Sequence, residues 1–204
     1  MKEEKGRAIV LTAFPYREKE RILTLFGSEE GLFHLIVKLS SSRYLALSSP
    51  LTEGEFVYVR GKSDLWRFCD GTVLEDHLSL REQLDRLQLA SALVEAILSS
   101  QLPGKTAPQL YQLFSLTLKK LSSLETLNHI KEWFYLKILQ HEGVLSPFYC
   151  PQLFTVDEWQ EITSALSLPA FSDLKKIAFS PSLQIKIYNH FSKQSGFHKK
   201  SNEE

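Results

Sequence analysis

The chain has 204 residues, 43% of them hydrophobic, enough for one or two cored domains. Lysine plus arginine equals aspartate plus glutamate at 24 each, so no global charge draws in a polyanion and any nucleic-acid surface has to be a local patch. No run reaches the roughly eighteen apolar residues of a membrane span, the start MKEEKGR lacks a signal peptide's apolar stretch, and Cys69 and Cys150 read as free thiols, so the expectation is a cytoplasmic protein.

The first element is a β-branched and apolar run, Ala8 to Ala13, with Pro15 as its stop. Arg21 to Phe26 is a second strand, and the polar connection Gly27 to Gly31 suits a tight hairpin that needs positive φ. In Leu32 to Leu39 the side chains Phe33, Leu35, Val37 and Leu39 share one face while His34 and Lys38 share the other, the period of a half-buried strand. Ser40 to Pro50 is dense in serine and reads as a long loop on a rim. Strand pattern returns at Glu55 to Arg60. Gly61 to Asp64 makes a turn, and Leu65 to Cys69 and Thr72 to Leu74 complete five or six short strands. Short strands joined by glycine turns suit a small closed barrel, which leaves no exposed sheet edge.

From Ser79 the hydrophobic period changes from two to 3.6, which places a domain boundary at 77/78. Ser79 to Glu82 has the form of a capping box, followed by the stripe Leu80, Leu84, Leu87, Val94 and Leu98 as far as Pro103-Gly104. A second helix carries Leu110, Leu113, Phe114, Thr117 and Leu121. A third runs from about Ser123 to His141, with Leu127, Ile130, Phe134 and Ile138 inward and Gly143 as its stop. Thr155 to Glu158 is another capping box, ahead of Trp159, Ile162 and Leu166. A short helical piece falls around Ser172 to Ile177, and Ser180-Pro181 opens a last helix that ends at Gly196. The fold class is α+β: an all-β barrel over 1–77 followed by an all-helical domain over 78–204.

Tyr16, Glu18, the run Arg21 to Phe26, Gly31 and Lys38 are similar in order and spacing to the N-terminal domain of the RecO family, bacterial recombination mediators that begin with an oligonucleotide-binding (OB) barrel. The glycine-stopped final helix, with Gly196 and Lys200-Ser201, resembles the same family, although Asn202 stands where an arginine is usual. The resemblance implies binding of single- and double-stranded DNA and annealing of complementary strands. It also implies partnership with RecR and with the single-stranded-DNA-binding protein in loading RecA recombinase at gaps, in the bacterial cytoplasm at the nucleoid. Two departures stand out. Leu39 to Ser42 and a single Arg43 replace the family's basic loop, and only Cys150 remains where many members carry a four-cysteine zinc element. No metal and no cofactor are expected.

The candidate DNA-binding residues are Arg21, Lys38, Arg43, Arg60, Lys62 and Arg67, with Trp66 as a base-stacking side chain beside Arg67. Core packing is the alternative for Trp66, as for Trp133 and Trp159. A second basic segment holds Lys186, Lys193, Lys199 and Lys200; a solvated helix face and tail is its alternative. Histidines 34, 77, 129, 141, 190 and 198 form no HxxxH or HExxH group, and no phosphate-binding glycine loop or G-x-S-x-G occurs, so an enzyme is not expected. The competing class is a protein-interaction adaptor with a structural barrel and little DNA binding of its own, which the neutral charge and the serine-rich loop favour.

Overall fold

Alternation in the N-terminal part resolves into five strands: β1 (Glu3–Arg17), β2 (Glu20–Gly27), β3 (Gly31–Lys38), β4 (Glu53–Val59) and β5 (Leu65–Glu75). They form a closed barrel in the order β1-β2-β3-β5-β4 in this computed structural model, which describes residues 2–61, 63–124, 126–146, 152–168 and 178–196. All pairings are antiparallel except β3 with β5, a short parallel ladder that includes Leu35 opposite Trp66 and Ile36 opposite Arg67. An OB-like barrel followed by helices is the fold that the sequence implies. The two short strands expected between Leu65 and Leu74 are one strand, with Cys69 as the extra residue where the β4 register shifts from Val57 to Tyr58. Cys69 is half-buried, not buried as a small core residue would be.

Strand β1 runs through Pro15 where the sequence places a stop. Beyond Ile9 it pairs on one side only, with β2, and an edge segment tolerates a residue without an N–H. Gly31 has φ of 66°, and a Cβ there would strike the Lys105 carbonyl, so the glycine is required by both conformation and space.

The serine-rich stretch read as a loop contains a helix, α1 (Ser42–Leu47), capped by Ser41, whose hydroxyl accepts from the Tyr44 N–H. Tertiary contacts hold this short helix. Leu47 is 1% exposed and joins the barrel core, lying over Gly54 and Gly71, where any Cβ would come within 2.5 and 2.6 Å of its methyl carbons. Arg43 donates to the Gly71 carbonyl and, at 3.1 Å, to Thr72 Oγ1, while the Tyr44 hydroxyl donates to Asp70 Oδ1 at 3.1 Å.

The helices are α2 (Leu78–Arg81), α3 (Leu84–Ser100), α4 (Pro108–Leu121), α5 (Ile130–His141), α6 (Val156–Leu166) and α7 (Pro181–Ser195). The chain divides into two compact units, residues 1–84 with 101–119 and residues 85–100 with 120–204. The capping box expected at Ser79 does not form. His77 occupies the cap position of α2 in the left-handed region without a side-chain bond, and α3 begins after a two-residue break. That break resets the helical phase: Leu84 is 70% exposed, and the buried stripe of α3 is Ala90, Leu93, Val94 and Ile97. Helix α5 starts seven residues later than expected from Ser123, because His129 at φ 63° cannot lie within a right-handed helix. The Thr155/Glu158 capping box, the Ser180 cap with Pro181, and Gly196 at φ 70° are present as read. The piece expected at Ser172 to Ile177 lies outside the described residues.

Within the first unit the decisive link is a carboxylate. Glu53, 5% exposed at the start of β4, accepts from Tyr111 Oη at 3.0 Å and Ser115 Oγ at 2.9 Å, and pairs with Lys119 Nζ at 2.7 Å. These donors recur at four-residue spacing along one face of α4, so one carboxylate on the barrel holds two turns of helix. Burial pushes the Glu53 carboxyl up, but the bonds from Lys119, Ser115 and Tyr111 outweigh it and hold the group below the ordinary 4.5. A carboxyl depressed by folding stabilises above its unfolded value and loses that contribution as pH falls through the folded one. We therefore expect the unit's stability to fall as pH drops below about 4.5. Glu53→Gln should remove about 2 kcal/mol at pH 7 and flatten this acid limb, read from urea unfolding at pH 3 to 7.

Candidate nucleic-acid interface

Alternation assigns every strand residue to the inside or the outside of the barrel, and cross-strand pairs share a face. Ala8, Val10, Leu23, Leu25, Phe33, Leu35, Val37, Phe56 and Tyr58 form the inner core. The outer face of β1, β2 and β3 divides into two halves. At one end Ile9, Phe26 and Leu32 point outward yet are buried; the Phe26 ring lies 6.1 Å from that of Tyr111 on α4, and the Leu32 carbonyl accepts from Gly104 N–H at 3.0 Å. At the other end no described element of the first unit covers the sheet. Thr12, Thr24 and His34 make one row, with Thr24 Oγ1 3.1 Å from His34 Nδ1. Phe14, Ile22 and Ile36 make the next, continued by Arg67 on β5, and Glu20 opposite Lys38 makes the third. Phe14 is 60% exposed, Ile22 and Ile36 are half-buried, and Lys38 and Arg67 are exposed.

The sequence-derived residues do not all meet on this surface. Lys38 and Arg67 do, with no salt-bridge partner among the described residues. Arg21 pairs with inward-facing Val37, so it belongs to the inner register at the barrel mouth, where it is half-buried. Arg43 is occupied in tying α1 to β5 and lies 3.6 Å from Asp70. Arg60 pairs with Glu4 at 2.9 Å and places its guanidinium 4.4 Å over the Trp66 ring. Lys62 lies outside the described residues. Trp66 packs against the core rather than standing outward: it stacks on Phe33 at 4.9 Å and on Tyr58 at 5.1 Å. Trp66 is half-buried, with these rings and Arg60 around it, and so is engaged in packing at the margin of the core.

In the second unit Lys186 is bound to Glu158, both oxygens within 2.8 Å, and so reinforces the α6 capping box. Lys193 is exposed in the last turn of α7, while Lys199 and Lys200 lie outside the described residues. Trp133 is buried with its ring N–H donating to the Ala165 carbonyl at 3.2 Å; Trp159 is half-buried. Among the described residues no three His, Cys, Asp or Glu side chains group as a metal site, and no helix is long and apolar enough to cross a membrane.

Phe14, Ile22 and Ile36 escaped the sequence reading. One signal was legible: Ile36 falls on the polar face of its strand, between His34 and Lys38, where an apolar residue breaks the pattern. Phe14 gave none, because its strand was expected to stop at Ala13.

Barrel and helices together define an OB-like class of protein, with a sheet face that bears Lys38 and Arg67, neither with a salt-bridge partner among the described residues. Residues 1–77 match the family model described as Recombination protein O N terminal. The chain is similar to proteins named DNA repair protein RecO. It is 28% identical to that of Clostridium acetobutylicum over 154 residues, 72% of this chain and 61% of the relative, and 26% identical to that of Chlamydia pneumoniae over 140 residues, 67% and 55%. With that of Alkaliphilus metalliredigens it shares 29% over 144 residues, 69% and 58%. The comparisons support the RecO family for this chain, the family its sequence resembles. In all three the matched region spans less than two thirds of the relative's length.

Packing of Trp66 against the core carries its own expectation. Trp66→Ala should cost about 2 to 4 kcal/mol in urea unfolding, because it removes two ring stacks and an arginine contact. A surface stacking residue would cost almost nothing.

Proposed function

We propose that this protein acts in DNA repair as a RecO-like recombination mediator that binds DNA without transforming it chemically. Relatives named DNA repair protein RecO support the repair role, and the open sheet face with Lys38 and Arg67 is the observation that carries the binding role. Phosphates are the groups these two cations suit, because each contact releases condensed counterions without needing a base-reading partner. In this reading single- and double-stranded DNA are both ligands and annealing of complementary strands follows. RecR and the single-stranded-DNA-binding protein are the partners in loading RecA at gaps.

The adaptor remains the second reading, favoured by the 24 to 24 charge balance and by the diversion of Arg43, Arg60 and Lys186 into internal ties. A salt titration of oligonucleotide binding separates the two. The mediator should bind at low salt with a negative slope of log affinity against log salt. Replacing Lys38 and Arg67 together by alanine should flatten it by about 1.4, at roughly 0.7 per single-strand contact. Absence of binding by the unaltered protein at low salt favours the adaptor. An unchanged slope in the double variant, lost instead in Lys193→Ala, moves the contact to the C-terminal helix.

A further inference from the structure

We propose that the row Phe14, Ile22 and Ile36 is a base-contacting strip for single-stranded nucleic acid, with Phe14 as the ring on which a base stacks; this rests on the DNA-binding reading above. Ladder register sets the three side chains abreast on β1, β2 and β3, with Arg67 next in line on β5. Four strands at about 4.8 Å spacing make the row about 14 Å long, the length of about four stacked bases.

Isolated apolar residues on a surface need no explanation. Three in one row, on the half of the sheet that α4 leaves bare, are a different matter. Two rows along the strands, beyond Thr12, Thr24 and His34, the outward residues Ile9, Phe26 and Leu32 are buried. The row is thus a second apolar patch on the outer face, separated from the covered one by the polar row Thr12, Thr24 and His34. Phe14 stands 60% exposed with no ring stacked on it among the described residues.

Charge decides what fits. Lys38 flanks Ile36 along β3 and Arg67 flanks it across the sheet, so cations bound the strip on two sides. The acid of the next row, Glu20 opposite Lys38, lies 3.7 Å from Arg17, which offsets it. Apolar surface between cations matches unstacked bases on a phosphate backbone, and a flexible single strand can lay its bases on a ring while its phosphates reach the rim. A duplex keeps its base faces inside. The strip therefore selects single strands, while Lys38 and Arg67 serve either form.

The test measures anisotropy of a labelled 20-residue oligothymidylate and of a labelled 20-base-pair duplex with the full chain, as wild type, Phe14→Ala, Phe14→Tyr and Trp66→Phe. Phe14→Ala should weaken single-strand binding about ten- to a hundredfold with an unchanged salt slope. It should change duplex binding less than about twofold, Phe14→Tyr should restore the single-strand affinity, and Trp66→Phe should leave it within about twofold. Circular dichroism confirms that each variant is folded. If wild type binds the single strand and Phe14→Ala binds it equally well, the proposal is overturned, and the strip becomes a face for docking protein. Equal losses on single strand and duplex also overturn it, since no stacking role is then distinguished. Failure of wild type to bind either DNA at low salt is separable from these outcomes and brings down the DNA-binding reading itself.

Discussion

A closed five-stranded barrel can bury only every second side chain in its own interior, and the rest of this molecule answers the question of what becomes of the other half. The inner set is uniform: aliphatic and aromatic side chains from all five strands, with Leu47 of α1 and the ring of Trp66 added at the margins. The outer set is partitioned. One end of the β1-β2-β3 face supports α4, and the other end is covered by no described element of the first unit. A covered half and an uncovered half are thus produced within the first unit on the same three strands by where a helix stops.

Glu53 anchors that division. An outward carboxylate buried beneath a helix would be costly if left alone, because removal from water penalises its charge. Three donors on successive turns of α4 reverse the balance, which is why its carboxyl titrates low despite burial. The arrangement is specific: the donors lie at one register of one helix, and a shift of α4 by one residue would separate them from their acceptor.

Electrostatics in a chain with no net charge becomes a matter of which cations are already engaged. Arg43 ties α1 to β5, Arg60 lies over Trp66 and on Glu4, Lys119 meets Glu53, and Lys186 meets Glu158. Each of these charges is largely spent locally, since a pair at salt-bridge distance has little field beyond about one Debye length. Lys38 and Arg67 are not so engaged among the described residues, and they flank the apolar strip. Position rather than number makes this face distinctive.

Much of the architecture follows from local rules. Two-residue alternation sufficed for the strands, and serine or threonine caps with a glycine stop sufficed for α6 and α7, because those signals act within a few residues. The period change near residue 78 likewise marked the passage from strands to helices. Three features were settled only by contacts distant in sequence. Leu47 made a helix of a serine-rich stretch by finding two glycines on β4 and β5. The break between α2 and α3 rephased the buried stripe of the longer helix. Closure of the barrel turned Trp66 and Arg21 toward the inner register while lining up Phe14, Ile22 and Ile36 outside. Sequence alone determined which residues could be inside or outside on each strand, since alternation is local. Register between strands and the reach of α4 decided which outward residues stand together and uncovered, because those depend on pairings tens of residues apart.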